Sequence, residues 1–181
     1  MRIIRLLLLV TFCVHCYPAH CAAADTFLRS VGVRGGLSAT ATRDNAREYE
    51  AFAVFGLPWE FRTRSGWGVA TQLDLAAGML SAERGYGFLT SAGPGFNFGK
   101  AGFPLELDLG VNAALLSRDH FGSRDYHGNF QFISHAGLDF RFGSKFGVAY
   151  RFQHMSNAGL YGGPNPGLNM HMFGVNWYFA K

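Results

Sequence analysis

Eight stretches of this chain alternate apolar and polar residues with a period of two, at 26–37, 48–61, 67–80, 87–98, 104–117, 128–142, 146–157 and 168–179. Only extended backbone turns successive side chains to opposite faces, so the pattern demands strands. The connections at 62–66, 99–102 and 143–145 are short. Those at 37–47, 118–127 and 158–167 are longer and richer in charge, Gly, Asn or Pro, while the link at 83–86 is brief. An even strand number with short turns at one end and longer loops at the other predicts an all-β fold, an eight-stranded antiparallel transmembrane β-barrel.

The two faces of each strand decide where the greasy side points. In the fifth segment Leu105, Leu107, Leu109, Val111, Ala113 and Leu115 share one face, and Glu106, Asp108, Gly110, Asn112 and Ala114 the other. The sixth places Phe130, Phe132, Ala136, Leu138, Phe140 and Phe142 opposite Gln131, His135, Asp139 and Arg141. A soluble lipocalin-type barrel would turn the apolar face inward. The membrane reading is preferred because the polar set (Glu106, Asp108, Asp139, Arg141, Arg151, Asp74) carries both signs of charge, which can pair inside a small barrel. Trp59, Phe61, Trp67, Phe98, Phe103, Phe142, Phe146, Trp177 and Phe179 fall beside the short turns or near the C-terminus, as one interfacial belt requires. The chain ends Phe179-Ala180-Lys181 rather than on an aromatic residue.

Residues 1–24 follow another rule. Arg2 and Arg5 precede an apolar run from Leu6 to Val14, too short to span a bilayer as a helix, and Ala22-Ala23-Ala24 offers a cleavage site before Asp25. This is a secretory signal peptide, leaving 25–181 as one barrel domain. Its processing is not that of a lipoprotein, because His20 precedes Cys21. Cys13, Cys16 and Cys21 all lie in the leader, which excludes disulfides and thiol chemistry from the barrel. Without Arg2 and Arg5, the 16 basic residues exceed the 12 acidic ones by only two, too even a balance for a nucleic-acid partner.

One face of the seventh strand carries chemistry. Phe146, Val148, Tyr150, Phe152, His154 and Ser156 share the outward parity. With the termini on the periplasmic side, nine residues beyond Lys145 raise His154 by about 23 Å, near the top of the roughly 25 Å apolar band. Asn169 lies at similar height on the outward face of the eighth strand, with His171, Phe173, Val175, Trp177 and Phe179. Ester cleavage needs a hydroxyl nucleophile, a base and a group that holds the base's tautomer. Ser156, His154 and Asn169 can fill those roles in order.

The run His154-Met155-Ser156-Asn157-Ala158-Gly159-Leu160, followed by Pro164-Asn165-Pro166-Gly167, resembles the PagL-type lipid A 3-O-deacylases. The resemblance is strongest over 151–181. It implies an outer-membrane barrel of a Gram-negative bacterium with a lipid-facing Ser–His–Glu triad that removes the 3-hydroxyacyl chain ester-linked at position 3 of lipid A. Ser156 then corresponds to the nucleophile and His154 to the base. Asn165, with the backbone amides around Ala158 and Gly159, corresponds to the oxyanion hole, and Asn157 joins the substrate side. The family's Glu falls near Asn169, and no Asp or Glu follows Asp139. An amide can pose an imidazole but lends it no charge; Asp125 is an alternative carboxylate. No cofactor or metal is implied. The partners are lipopolysaccharide and the outer membrane, and self-association into a homodimer is left open.

Plainer readings stand beside these. Asn157 and Asn165 are also turn formers, Pro166-Gly167 is turn chemistry in any case, and His171 can be simply interfacial. His120, His127, Asp119 and Asp125 are irregularly spaced and read as a solvated loop rather than a metal site. Arg43, Arg47, Arg84, Arg118 and Arg124 read as a solvated rim. The rival functions are a non-catalytic barrel with a structural or surface-interaction role, and a phospholipid acyl hydrolase.

Overall fold

Alternation of this kind leaves a strand's backbone groups unpaired at each edge, and in lipid only closure removes the edges. The computed structural model, which describes residues 26–39, 45–83, 85–122, 124–162 and 167–179, closes accordingly. The strands are β1 (Phe27–Ser38), β2 (Arg47–Arg62), β3 (Trp67–Ala82), β4 (Gly85–Lys100), β5 (Leu105–Leu116), β8 (Phe130–Phe142), β9 (Phe146–Ser156) and β10 (Leu168–Tyr178), with a two-stranded hairpin, β6 (His120–Phe121) and β7 (Arg124–Asp125), in the loop before β8. The barrel order is β1-β10-β9-β8-β5-β4-β3-β2, every neighbour antiparallel, with β1 against β10 as the seam. Residues 1–25, on which the expected leader falls, Arg43, Arg84, Pro164, Asn165, Pro166 and the final Ala180-Lys181 lie outside the described residues.

Two prolines sit inside strands, where a missing N–H is tolerated only at irregularities. Pro58 falls in the register shift between Gly56 and Glu60 of β2. Pro94 pairs toward β3, while on its other side the ladder to β5 lapses between Ala92 and Gly95.

The apolar parity faces outward, as expected. Val111, Leu115, Phe142, Phe146 and Phe173 are exposed on the wall, and all nine residues of the expected belt are exposed. The inward charges pair. Arg151 Nη2 donates to Asp108 Oδ2 at 2.8 Å, Arg29 and Arg141 both reach Glu106 Oε2 at 2.6 and 3.0 Å, and Arg34 bonds Glu50. Gln153 Nε2 donates to both Glu48 oxygens at 3.0 Å.

The interior departs from expectation in its outer third. Leu80, Leu89, Ile133, Met155, Met170 and Met172 turn inward and form an apolar plug with Phe121 and Tyr126 of the hairpin. The segment 118–127, expected as a solvated loop, supplies part of this plug. Glu48, directly across from Leu80, takes its hydrogen bonds from Gln153, and the inward positions around it are filled with hydrocarbon. The loop folds back because its two aromatic rings complete that plug, 6.0 Å apart and edge to face.

Candidate active site on the outer barrel wall

Strand pairing places His154 directly opposite Asn169 on β10 and Ser134 on β8. Ser156, two residues on, shares the outward face at the last rung of β9 and pairs with Phe132. His154 is exposed, and Ser156 and Asn169 half-buried. The imidazole Nδ1–H donates to Asn169 Oδ1 at 2.7 Å. That bond fixes the proton on Nδ1 and leaves a lone pair on Nε2. Among the described residues, neither Nε2 nor the Ser156 hydroxyl makes a hydrogen bond, to each other or elsewhere. Side chains two apart on a strand start from Cα atoms about 6.6 Å apart, so contact requires each to lean along the strand. Such contacts often tighten only when substrate is bound.

The loop after Ser156 is built by Asn157, which is 1 % exposed. Its Nδ2 donates to the Tyr126 carbonyl at 3.1 Å, and its Oδ1 accepts the Gly159 N–H at 2.7 Å. Both ends of this amide, and the Gly159 N–H, are therefore used within the protein. The Ala158 N–H has no partner among the described residues, and Ala158 adopts a left-handed φ of 52° that turns the chain here. Tyr161 ties the loop to β8, its hydroxyl accepting the Phe130 N–H at 3.1 Å.

Two contributors were not anticipated from sequence. Gly167 packs on the imidazole edge: a Cβ there would lie 2.9 Å from His154 Cε1, and its φ is +46°. Its carbonyl accepts a hydrogen bond from Arg124 Nη1 at 2.5 Å, so an arginine expected on a solvated rim reaches the residue behind the histidine. Tyr150 Oη and His171 Nδ1 share a 2.8 Å hydrogen bond lower on the same wall, with His171 5.5 Å from the Phe152 ring. Mutual pairing is what lets two polar groups face hydrocarbon. Asp125 does not approach His154; its carboxylate is engaged by His120 and His127 of its own loop.

Comparison with solved structures returns small outer-membrane barrels. The crystal structure of the outer membrane enzyme PagL matches with TM-score 0.68 at 20 % identity, over 82 % of this chain and 99 % of that one. Neisserial surface protein A (NspA) matches with TM-score 0.53 at 12 % identity, over 83 % and 96 %. The N-terminal β-barrel domain of Pseudomonas aeruginosa OprF matches with TM-score 0.50 at 20 % identity, over 86 % and 100 %. At these identities the likeness concerns the fold. No curated protein sequence matches significantly. A family model described as lipid A 3-O-deacylase (PagL) matches residues 47–178, from the second barrel strand to the end of the last and through every described residue of the site. By that match, the chain belongs to the PagL lipid A 3-O-deacylase family.

Proposed function

We propose that the protein removes the ester-linked 3-hydroxyacyl chain at position 3 of lipid A, acting as a cofactor-free serine esterase in the outer membrane. The observation that carries this reading is the 2.7 Å bond from His154 Nδ1 to Asn169 Oδ1 on the lipid-facing wall, with the Ser156 hydroxyl on the same strand face. Nε2 takes the Ser156 proton as Oγ attacks the ester carbonyl, then returns it to the leaving sugar hydroxyl; water hydrolyses the acyl-enzyme by the same route. The Ala158 N–H and the Asn165 side chain stabilise the developing oxyanion. Asn157 and the Gly159 amide shape the loop that presents the Ala158 N–H. Substrate arrives by lateral diffusion in the outer leaflet and need not enter the lumen. Residues 1–24 are the export leader, cut before Asp25. A homodimer adds nothing to this chemistry, since the nucleophile, base and orienting amide all lie on one wall.

Mass spectrometry of lipid A from cells expressing the chain tests the proposal. Loss of one 3-hydroxyacyl mass, absent with Ser156→Ala, is the expected outcome. An intact lipid A profile with a folded barrel in the outer membrane would leave a non-catalytic barrel. Loss of phospholipid chains with lipid A untouched would make the protein a phospholipid acyl hydrolase.

A further inference from the structure

The charged tier of the lumen holds more carboxylates than guanidiniums. Arg29 and Arg141 share Glu106, Arg34 takes Glu50 and Arg151 takes Asp108, so among the described residues no arginine pairs with Glu48, Asp74 or Asp139. Glu48 and Asp139 accept hydrogen bonds from Gln153 and Asn176. Asp74 is only half served. Its Oδ1 accepts from Gln72 Nε2 at 3.1 Å, while its Oδ2 is buried without a hydrogen bond. That oxygen faces His135 Nε2 at 3.5 Å, and Asp108 Oδ2 faces the same nitrogen at 3.3 Å. Neither nitrogen of His135 makes a hydrogen bond, although its side chain is 0 % exposed and those of Asp74 and Asp108 only 4 % and 6 %. A buried imidazole left in that condition is costly unless something else engages it.

Two glycines make the space in which these groups converge. Gly95 of β4 and Gly110 of β5 are cross-strand partners. A Cβ on Gly95 would lie 2.9 Å from Asp74 Oδ2, and one on Gly110 would lie 2.7 Å from His135 Nε2. Because both lack one, Asp74 reaches across β4 from β3, and His135 leans in from β8. Gln72 Nε2 also donates to Asp108 Oδ1 at 2.7 Å, so one amide holds both carboxylates by their first oxygens and leaves the second ones to the imidazole. One ligand atom from each of Asp74, Asp108 and His135 lies within 4.8 Å of the other two. A point equidistant from three donors so spaced is about 2.0–2.4 Å from each, at metal–ligand bond length or within a small carboxylate turn of it. An imidazolium bridging two carboxylates would instead draw in to about 2.7–2.9 Å.

We propose that Asp74 Oδ2, Asp108 Oδ2 and His135 Nε2 hold one divalent transition-metal ion of the Zn²⁺ class inside the barrel, a structural staple joining β3, β5 and β8. An imidazole beside two carboxylates favours such an ion over Ca²⁺, which seeks a larger shell of oxygens. Its charge offsets the surplus carboxylates of the tier. Asp108 Oδ2 has a second lone pair, which serves Arg151 Nη2 at 2.8 Å. The cavity of about 30 Å³ bordered by Gln72 and Asp108 has room for a water as fourth ligand. With the plug above it, the ion enters while the strands are closing, and the folded barrel retains it. The site faces the lumen, so it stands apart from the chemistry proposed for His154 and Ser156 on the outer wall.

The test uses the full barrel, unfolded in urea with EDTA and refolded in detergent with either Co²⁺ or EDTA. The Co²⁺ sample should keep one equivalent through dialysis against chelator and show the visible bands of a nitrogen- and oxygen-ligated ion. Its urea midpoint should exceed that of the EDTA sample, as expected of a ligand that binds only the folded state. His135→Ala and Asp74→Asn should abolish the retained ion, the bands and the rise in midpoint. Asp74→Asn removes a surplus buried charge, so in EDTA it should be at least as stable as the parent, which separates loss of metal from loss of fold. A folded parent that gains neither bands nor stability from Co²⁺ overturns the proposal. So does equal retention in the parent and in folded Asp74→Asn, the mark of an ion bound elsewhere.

Discussion

An amide opposite His154 poses the ring, and in the proposed mechanism it lends no charge to the imidazolium of the transition state. Hydrogen bonds to charged groups contribute about 1.5–3 kcal/mol against roughly 1 for neutral ones, and about 1.4 kcal/mol is tenfold in rate. Asn169→Glu should therefore raise kcat by about tenfold in a lipid A deacylation assay; an unchanged or lower rate would place the orienting group elsewhere. Gly167 acts from the other side of the ring. A methyl there would meet His154 Cε1 at 2.9 Å in a backbone of φ +46°, so Gly167→Ala must shift the imidazole or the loop. Misplacing a base by about 1 Å costs on the order of a hundredfold, so kcat should fall steeply with KM little changed. That His154, Ser156 and Asn169 share the outward face was legible because strand parity alone assigns it. Gly167 was not, since Pro166-Gly167 reads as a turn whatever lies behind it, and only three-dimensional proximity shows the ring it makes room for.

The hairpin β6–β7 is the element that links the barrel mouth to the reactive loop. Phe121 and Tyr126 are at most 1 % exposed, although they sit in a segment rich in Asp, His and Arg. Two isolated aromatic residues give no period, which is why a solvated loop was expected where a folded plug is found. The eight long strands carry four to eight alternations each and were legible almost to their ends. Truncating a buried aromatic ring typically costs about 3–5 kcal/mol. Phe121→Ala should lower the unfolding free energy by an amount of that order, seen as a lower urea midpoint for loss of the folded band on unheated gels. Tyr126 bears on the proposed chemistry more directly, because its carbonyl accepts the Asn157 amide at 3.1 Å beside Ser156. Asn157→Ala removes that bond and frees the Gly159 amide; activity should fall more than stability, since a strand-end loop loosens while the barrel ladder stays intact.

At the level of the whole molecule, the lumen and the wall do different jobs. Inside, Arg29, Arg34 and Arg151 face Glu106, Asp108 and Asp139 around a cavity of only about 30 Å³, room for one or two waters, while a wider pocket of about 440 Å³ lies at the short-turn end beside Arg29, Glu106 and Arg141. Above it the apolar plug closes the outer mouth. Among the described residues the plug and the charged tier close the interior to ions, so the reconstituted barrel should show no steady conductance in a planar bilayer. Steady single-channel steps would mean that the plug opens. The charged tier contributes to stability through its pairing. Removing one member of a buried pair strands the other and costs about 3–5 kcal/mol, whereas replacing both with apolar groups of similar size can be neutral. Arg151→Met should thus destabilise the barrel, and Asp108→Leu added to it should restore part of the loss. Both variants should keep the lipid A deacylation rate per folded molecule, because Arg151 and Asp108 face the lumen while His154, Ser156 and Asn169 face lipid. A rate lost along with this interior pair, in protein shown to be folded, would mean that the wall and the lumen are coupled.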